Sequence, residues 1–165
     1  PERRYWHDVI GYNYRMTNLQ AAIGLAQMER IEYFINHKRN LAKEYLKEMK
    51  NIDFVLHPPE ASWAYNTYWL YSVLILPESE LNRDDLIRAM SLNGIETRPV
   101  FYPLHEMPIY KKYTKGNKFP NSKFISDHGI CLPSASTASL EDVIKISKVF
   151  KNIIESIRLF KKTQN

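Results

Sequence analysis

One cysteine, Cys131, is all the thiol this chain has. A lone cysteine rules out an internal disulfide and leaves too little sulfur for a zinc site, so it reads as a small buried apolar residue. Glycine is scarce as well, at five residues, and none of them builds a Gly-rich phosphate loop. No apolar run approaches the roughly 20 residues of a membrane span, so no membrane partner is expected. The opening PERRYWHDV holds no apolar signal core and no initiator Met. The expectation is a cytoplasmic chain that is one piece of a longer one. No internal repeat and no low-complexity tract interrupts the 165 residues, which suffice for one domain with a core.

What is present is ordinary in bulk. Apolar residues make up 44% and charged residues 25%, the composition of a soluble globular domain. The 23 Lys and Arg against 18 Asp and Glu give a net charge of +5. These basic residues are spread along the chain, apart from a small cluster at the end. A nucleic-acid binder gathers them on a stripe, so no nucleic-acid partner is expected. His7, His37, His57 and His128 fall in no metal-ligand spacing. No Ser/His/Asp or Cys/His grouping stands out, and HPPE, residues 57–60, reads as a turn.

Periodicity gives the elements. Thr17 or Asn18 can cap a helix, and from there to about Lys50 only Gly24 weakens the pattern. Its second half is amphipathic, with Ile31, Phe34, Ile35, Leu41, Ala42, Tyr45, Leu46 and Met49 recurring at three and four. Its first half, LQAAIGLAQM, is small or apolar all round, and such a segment is buried on every side. Another domain, another subunit or both must cover it, and Gly24 with Ala21, Ala22 and Ala26 suits close backbone approach. IDFVLH and TYWLYSVLIL read as strands. NRDDLIRAMSLNGI reads as a helix capped by Asn82, with Asp84 and Asp85 at its positive end and Gly94 closing it. IETRPVFYP is a third strand, at a sheet edge because of Pro99. Residues 103–138 read as irregular, with a short helix near Asn121 to His128. Ser139 to Asp142 resembles a capping box. It opens a helix with Val143, Ile146, Val149, Phe150, Ile153, Ile154, Ile157 and Phe160 on one stripe, and the KKTQN tail frays. The fold class is α+β, with a small, mostly antiparallel sheet flanked by helices.

Two segments invite chemistry. In the loop before the first helix, Asn13, Tyr14 and Arg15 offer an amide donor and a planar fork of charged donors, beside the positive end of the helix dipole. The alternative is an ordinary N-terminal cap with aromatic packing. In TRPVFYPLHEMPIY, prolines 99, 103 and 108 stiffen a backbone carrying Arg98, Tyr102, His105 and Tyr110. Arg98 and His105 suit phosphate or sugar hydroxyls. The alternative is a Pro-rich surface loop with a capped histidine.

GYNYRMTNLQAAIGLAQMERIE, GIETRPVFYPLHEMPIY and FPNSKFISDHGICLPS, in that order, resemble the nucleotide-sugar aminotransferases of the DegT–StrS group. The likeness covers almost all of the chain. It implies the C-terminal part of a fold-type-I enzyme that uses pyridoxal phosphate. Residues 1–17 would end the large cofactor domain and supply a cofactor-site loop. Residues 18–50 would be a long connecting helix, and residues 51–165 the α+β small domain. The wording is nearest the perosamine-type members, which use glutamate to aminate a GDP-linked 4-keto-6-deoxy sugar for cell-surface polysaccharide such as O-antigen. The resemblance also implies a homodimer in which Asn13 and Arg15 reach the partner's cofactor, while His105, Arg98 and Tyr102 face the nucleotide-sugar. No lysine here matches the motif that binds the cofactor covalently, so this chain is expected to hold no catalytic residue and not to transaminate alone. A dehydratase of the same fold, with His in place of that lysine, is one alternative. A non-catalytic α+β binding module is the other.

Overall fold

A computed structural model describes residues 11–162 of the chain. The opening ten residues with His7, the last three, and the Phe160 side chain lie outside the described residues. The chain divides into two compact units, Pro1–Tyr33 and Phe34–Asn165.

The first unit holds helix α1, Asn18–Met28. Thr17 caps it reciprocally. Its hydroxyl accepts from the Gln20 N–H at 3.3 Å, and Gln20 Oε1 accepts from the Thr17 N–H at 2.9 Å. Helix α2, Ile31–Met49, follows after a two-residue turn. The single helix expected over 18–50 is therefore interrupted. The Glu29 N–H still bonds four residues back to Leu25, but the Arg30 N–H bonds three back to Gln27 at 3.1 Å, so the last turn of α1 tightens.

The second unit carries a four-stranded antiparallel sheet in the order β1 (Val55–Leu56), β2 (Tyr71–Ile75), β4 (Gly129–Leu132), β3 (Arg98–Pro99). The α+β architecture is the expected one, with one strand more. β4 lies within the segment read as irregular, and it pairs with both β2 and β3. Its four residues GICL are all buried, so they show no alternation that would mark a strand. β3 shrinks to two residues at the sheet edge, where Pro99 needs no second partner.

Three helices complete the unit: α3 (Arg83–Leu92), α4 (Pro120–His128) and α5 (Leu140–Lys162). Asn82 Oδ1 caps α3, accepting from the Asp84 N–H at 2.8 Å and the Asp85 N–H at 3.2 Å. Gly94, at φ +75°, turns the chain out of α3. Ser139 and Asp142 cap α5 reciprocally, as the sequence suggests. The core joins Leu41, Tyr45 and Met49 of α2, the inward residues of β2 and β4, Leu86 and Met90 of α3, and Val143, Phe150 and Ile154 of α5. No helix among the described residues is long and apolar enough to cross a membrane.

Candidate functional site

The loop before α1 is organised by Asn13. Its Oδ1 accepts from the Arg15 backbone N–H at 3.1 Å and from Arg15 Nε at 3.3 Å. The acceptor of this amide is thus engaged inside the loop, and its NH₂ group has no hydrogen-bond partner among the described residues. Arg15 is exposed, and the Tyr12 and Tyr14 rings stand 5.9 Å apart. Two outward-available donor groups, one of them a guanidinium, suit a phosphate. Asn13 and Arg15 are the two predicted site residues that the structure joins directly.

The other predicted residues lie along β3 and the segment after it. Arg98 pairs with Glu96 at 2.9 Å, with both side chains more than three-quarters exposed. Such a pair contributes little to stability and leaves Arg98 available. Tyr102 is exposed. His105 occupies a single 3₁₀ turn, Leu104–Glu106, set off by the buried Pro103. Its half-buried ring lies 4.7 Å from the Phe119 ring, tilted by 40°. Among the described residues no hydrogen bond, ion pair or ring contact joins Arg98, Tyr102 and His105 to one another.

Beside Arg98 opens a cleft of about 820 Å³, floored by Leu132, Ile146 and Val149 and edged by Lys38, Trp69 and Glu96. Lys38 Nζ donates to the Trp69 carbonyl at 3.2 Å and to the Ser134 carbonyl, and burial lowers its pKa. Sequence reasoning gave none of these edge residues a place in a site. Lys38 stands 31 residues before Trp69, and no local spacing ties an α2 lysine to that carbonyl.

A second group missed by sequence lies under HPPE. Arg39 of α2 holds both Glu60 oxygens, at 2.6 and 3.1 Å, and the Asn66 carbonyl at 2.6 Å. Its guanidinium sits 4.3 Å from the Tyr65 ring centroid. The Arg39 hydrogen bond holds the Glu60 carboxyl below its usual pKa, with the Asn66 N–H adding to it. This bidentate pair fixes the loop that delivers Trp69 to the cleft.

Residues 1–151 match the DegT/DnrJ/EryC1/StrS aminotransferase family. The chain is 41% identical to the GDP-perosamine synthase of Vibrio cholerae over 155 residues, which are 94% of this chain and 42% of that protein. It is 46% identical to the GDP-perosamine synthase of Escherichia coli O157:H7 over 144 residues, 87% of this chain and 38% of that one. A solved DegT DnrJ EryC1 StrS aminotransferase from Brucella abortus superposes with a TM-score of 0.80 at 26% identity, over 93% of this chain and 40% of that structure. The chain thus spans about two fifths of the length of the relatives it matches.

Proposed function

This chain belongs to the DegT/DnrJ/EryC1/StrS aminotransferase family, and from that membership we propose that it is part of an enzyme moving an amino group from glutamate to a GDP-linked 4-keto-6-deoxy sugar, the perosamine-type reaction. The observation that carries this is its 41% and 46% identity to two GDP-perosamine synthases over nearly the whole chain. Membership of an aminotransferase family stands against the free-standing binding module. The product feeds cell-surface polysaccharide such as O-antigen, and the enzyme works in the cytoplasm as a homodimer.

When bound, pyridoxal phosphate supplies the electron sink for the proton shift that moves the amino group. The residues here bind and orient. Asn13 and Arg15 hold the cofactor phosphate of the partner subunit, using the amide NH₂ and the guanidinium that the loop leaves available. His105, Arg98 and Tyr102 hold the nucleotide-sugar, with Arg98 on its diphosphate. No lysine of this chain takes the covalent role at the cofactor.

The test incubates the full-length protein with glutamate and GDP-4-keto-6-deoxymannose and follows products by mass spectrometry. A GDP-amino sugar and 2-oxoglutarate in equal amounts are expected, with dTDP- and UDP-linked ketosugars turned over poorly. A GDP-linked 4-keto sugar that has lost its C3 hydroxyl and gained no nitrogen, with the amino group of glutamate released as ammonia, would assign the dehydratase reading instead.

A further inference from the structure

Helix α4 is fixed to the core at its C-terminal end. Arg83 Nη1 donates to the Ser126 carbonyl at 2.9 Å and the Gly129 carbonyl at 3.1 Å, acceptors at the end of α4 and at its junction with β4. The Arg83 side chain is only 9% exposed. Gly129 then lets the chain pass where a Cβ would lie 2.4 Å from Val100 Cγ2 and 2.5 Å from the Ile125 carbonyl oxygen. At its other end α4 reaches the 3₁₀ turn that carries His105. Phe119 and Lys123 lie one helical turn apart, joined by the Lys123 N–H to Phe119 carbonyl bond of 3.1 Å. Phe119 places its ring 4.7 Å from that of His105. Lys123 Nζ lies 3.4 Å from Glu106 Oε1, and Asp127 draws it from the other side at 3.1 Å. Successive residues of the turn, His105 and Glu106, are therefore gripped by successive contacts of one helix.

We propose that Phe119 and Lys123 are positioning residues for the nucleotide-sugar site, and that α4 is a bracket carrying the rigidity of the core to the His105 ring. The proposal rests on His105 being a ligand of the nucleotide-sugar. A histidine held before binding loses less rotamer freedom on binding, so the bracket acts on affinity for that substrate. Phe119 acts on the His105 ring and Lys123 on the neighbouring Glu106, so the bracket positions the turn that carries His105 and is expected to leave glutamate binding unchanged.

The complete enzyme tests this. Phe119→Ala raises the KM for the nucleotide-sugar about three- to ten-fold, the range of an aromatic pair contact. It leaves kcat and the KM for glutamate within about twofold. Phe119→Tyr restores the KM. Lys123→Ala gives a smaller rise in the same parameter. In a His105→Ala background, Phe119→Ala adds nothing, because the ring it positions is gone. If Phe119→Ala adds its full effect in that background, Phe119 does not act through His105 and the bracket is wrong. If His105→Ala raises the KM while Phe119→Ala does not, the bracket falls and the role of His105 stands. If neither changes it, both fall.

Discussion

His57 is where a single residue departs furthest from its sequence surroundings. HPPE reads as a turn, yet His57 Nδ1 lies 2.9 Å from the Tyr71 hydroxyl. Tyr71 stacks on Tyr45 at 4.7 Å, and the Tyr45 hydroxyl donates to the Pro133 carbonyl at 2.7 Å. Burial pushes both phenols well above the ordinary tyrosine range. Burial also lowers the His57 pKa, opposed less strongly by the Met49 carbonyl. His57 Nε2 is buried with no hydrogen-bond partner among the described residues. The sign of the pH effect follows. The unfolded chain takes up a proton near pH 6.5 while folded His57 stays neutral, so its contribution is present above that pH and is lost as the pH falls through the lowered folded value. The urea midpoint of the protein drops between pH 7.5 and pH 5.5, and His57→Gln, which still reaches the Tyr71 hydroxyl, drops less. Equal losses in the two proteins would clear His57 of the effect. Tyr71, the partner of His57, and Arg39, the charged partner of Glu60, stand 14 and 21 residues away, beyond the reach of any local pattern.

Elements were legible where their signals sit in one or two turns of chain. The caps of α3 and α5 are each carried by side chains within three residues of the backbone groups they satisfy. The break between α1 and α2 has no such mark, because neither Glu29 nor Arg30 opposes helix. β4 was hidden for a different reason. Its identity as a strand comes from β2 and β3 on either side, and Gly129 at its start looks like punctuation. That glycine is instead the close-packed junction of α4 with the sheet, at an extended φ of −84° that other residues can adopt. Space alone demands it. Gly129→Ala therefore forces Val100 and the Ile125 carbonyl apart and lowers stability by about 1–3 kcal/mol, the usual cost of overpacking. Gly129→Ala combined with Val100→Ala recovers part of that loss, since the nearest clashing atom, Val100 Cγ2, is removed while Val100 Cβ at 2.8 Å remains. Thermal unfolding of the three proteins measures it, and an undiminished loss in the double variant would leave the Ile125 carbonyl and the Val100 Cβ as the obstacles.

At the scale of the whole molecule, α1 is a helix with no buried residue. It carries no charge from Asn18 to Met28, and none of its residues is buried within the chain. Leu19 is 78% exposed and Met28 is 62% exposed. An eleven-residue helix is marginal in water on its own, and this one has no ion pairs along its length to support it. Apolar residues exposed around an uncharged helix are the surface that a fully buried helix presents before its cover is added. In the proposed homodimer the cover includes the partner subunit, and two-fold symmetry places each substitution in the interface twice. Ile23→Arg in the full-length protein then buries two guanidinium groups without counter-charges, at a cost on the order of several kcal/mol each. Sedimentation equilibrium is expected to shift from dimer to monomer. Leu86 and Phe150, buried in the second unit, are untouched, so that unit keeps its near-ultraviolet dichroism. A dimer that persists with a lowered melting temperature would place the cover within the same subunit. A dimer that persists with an unchanged melting temperature would mean that α1 is solvated, and would remove it from every interface.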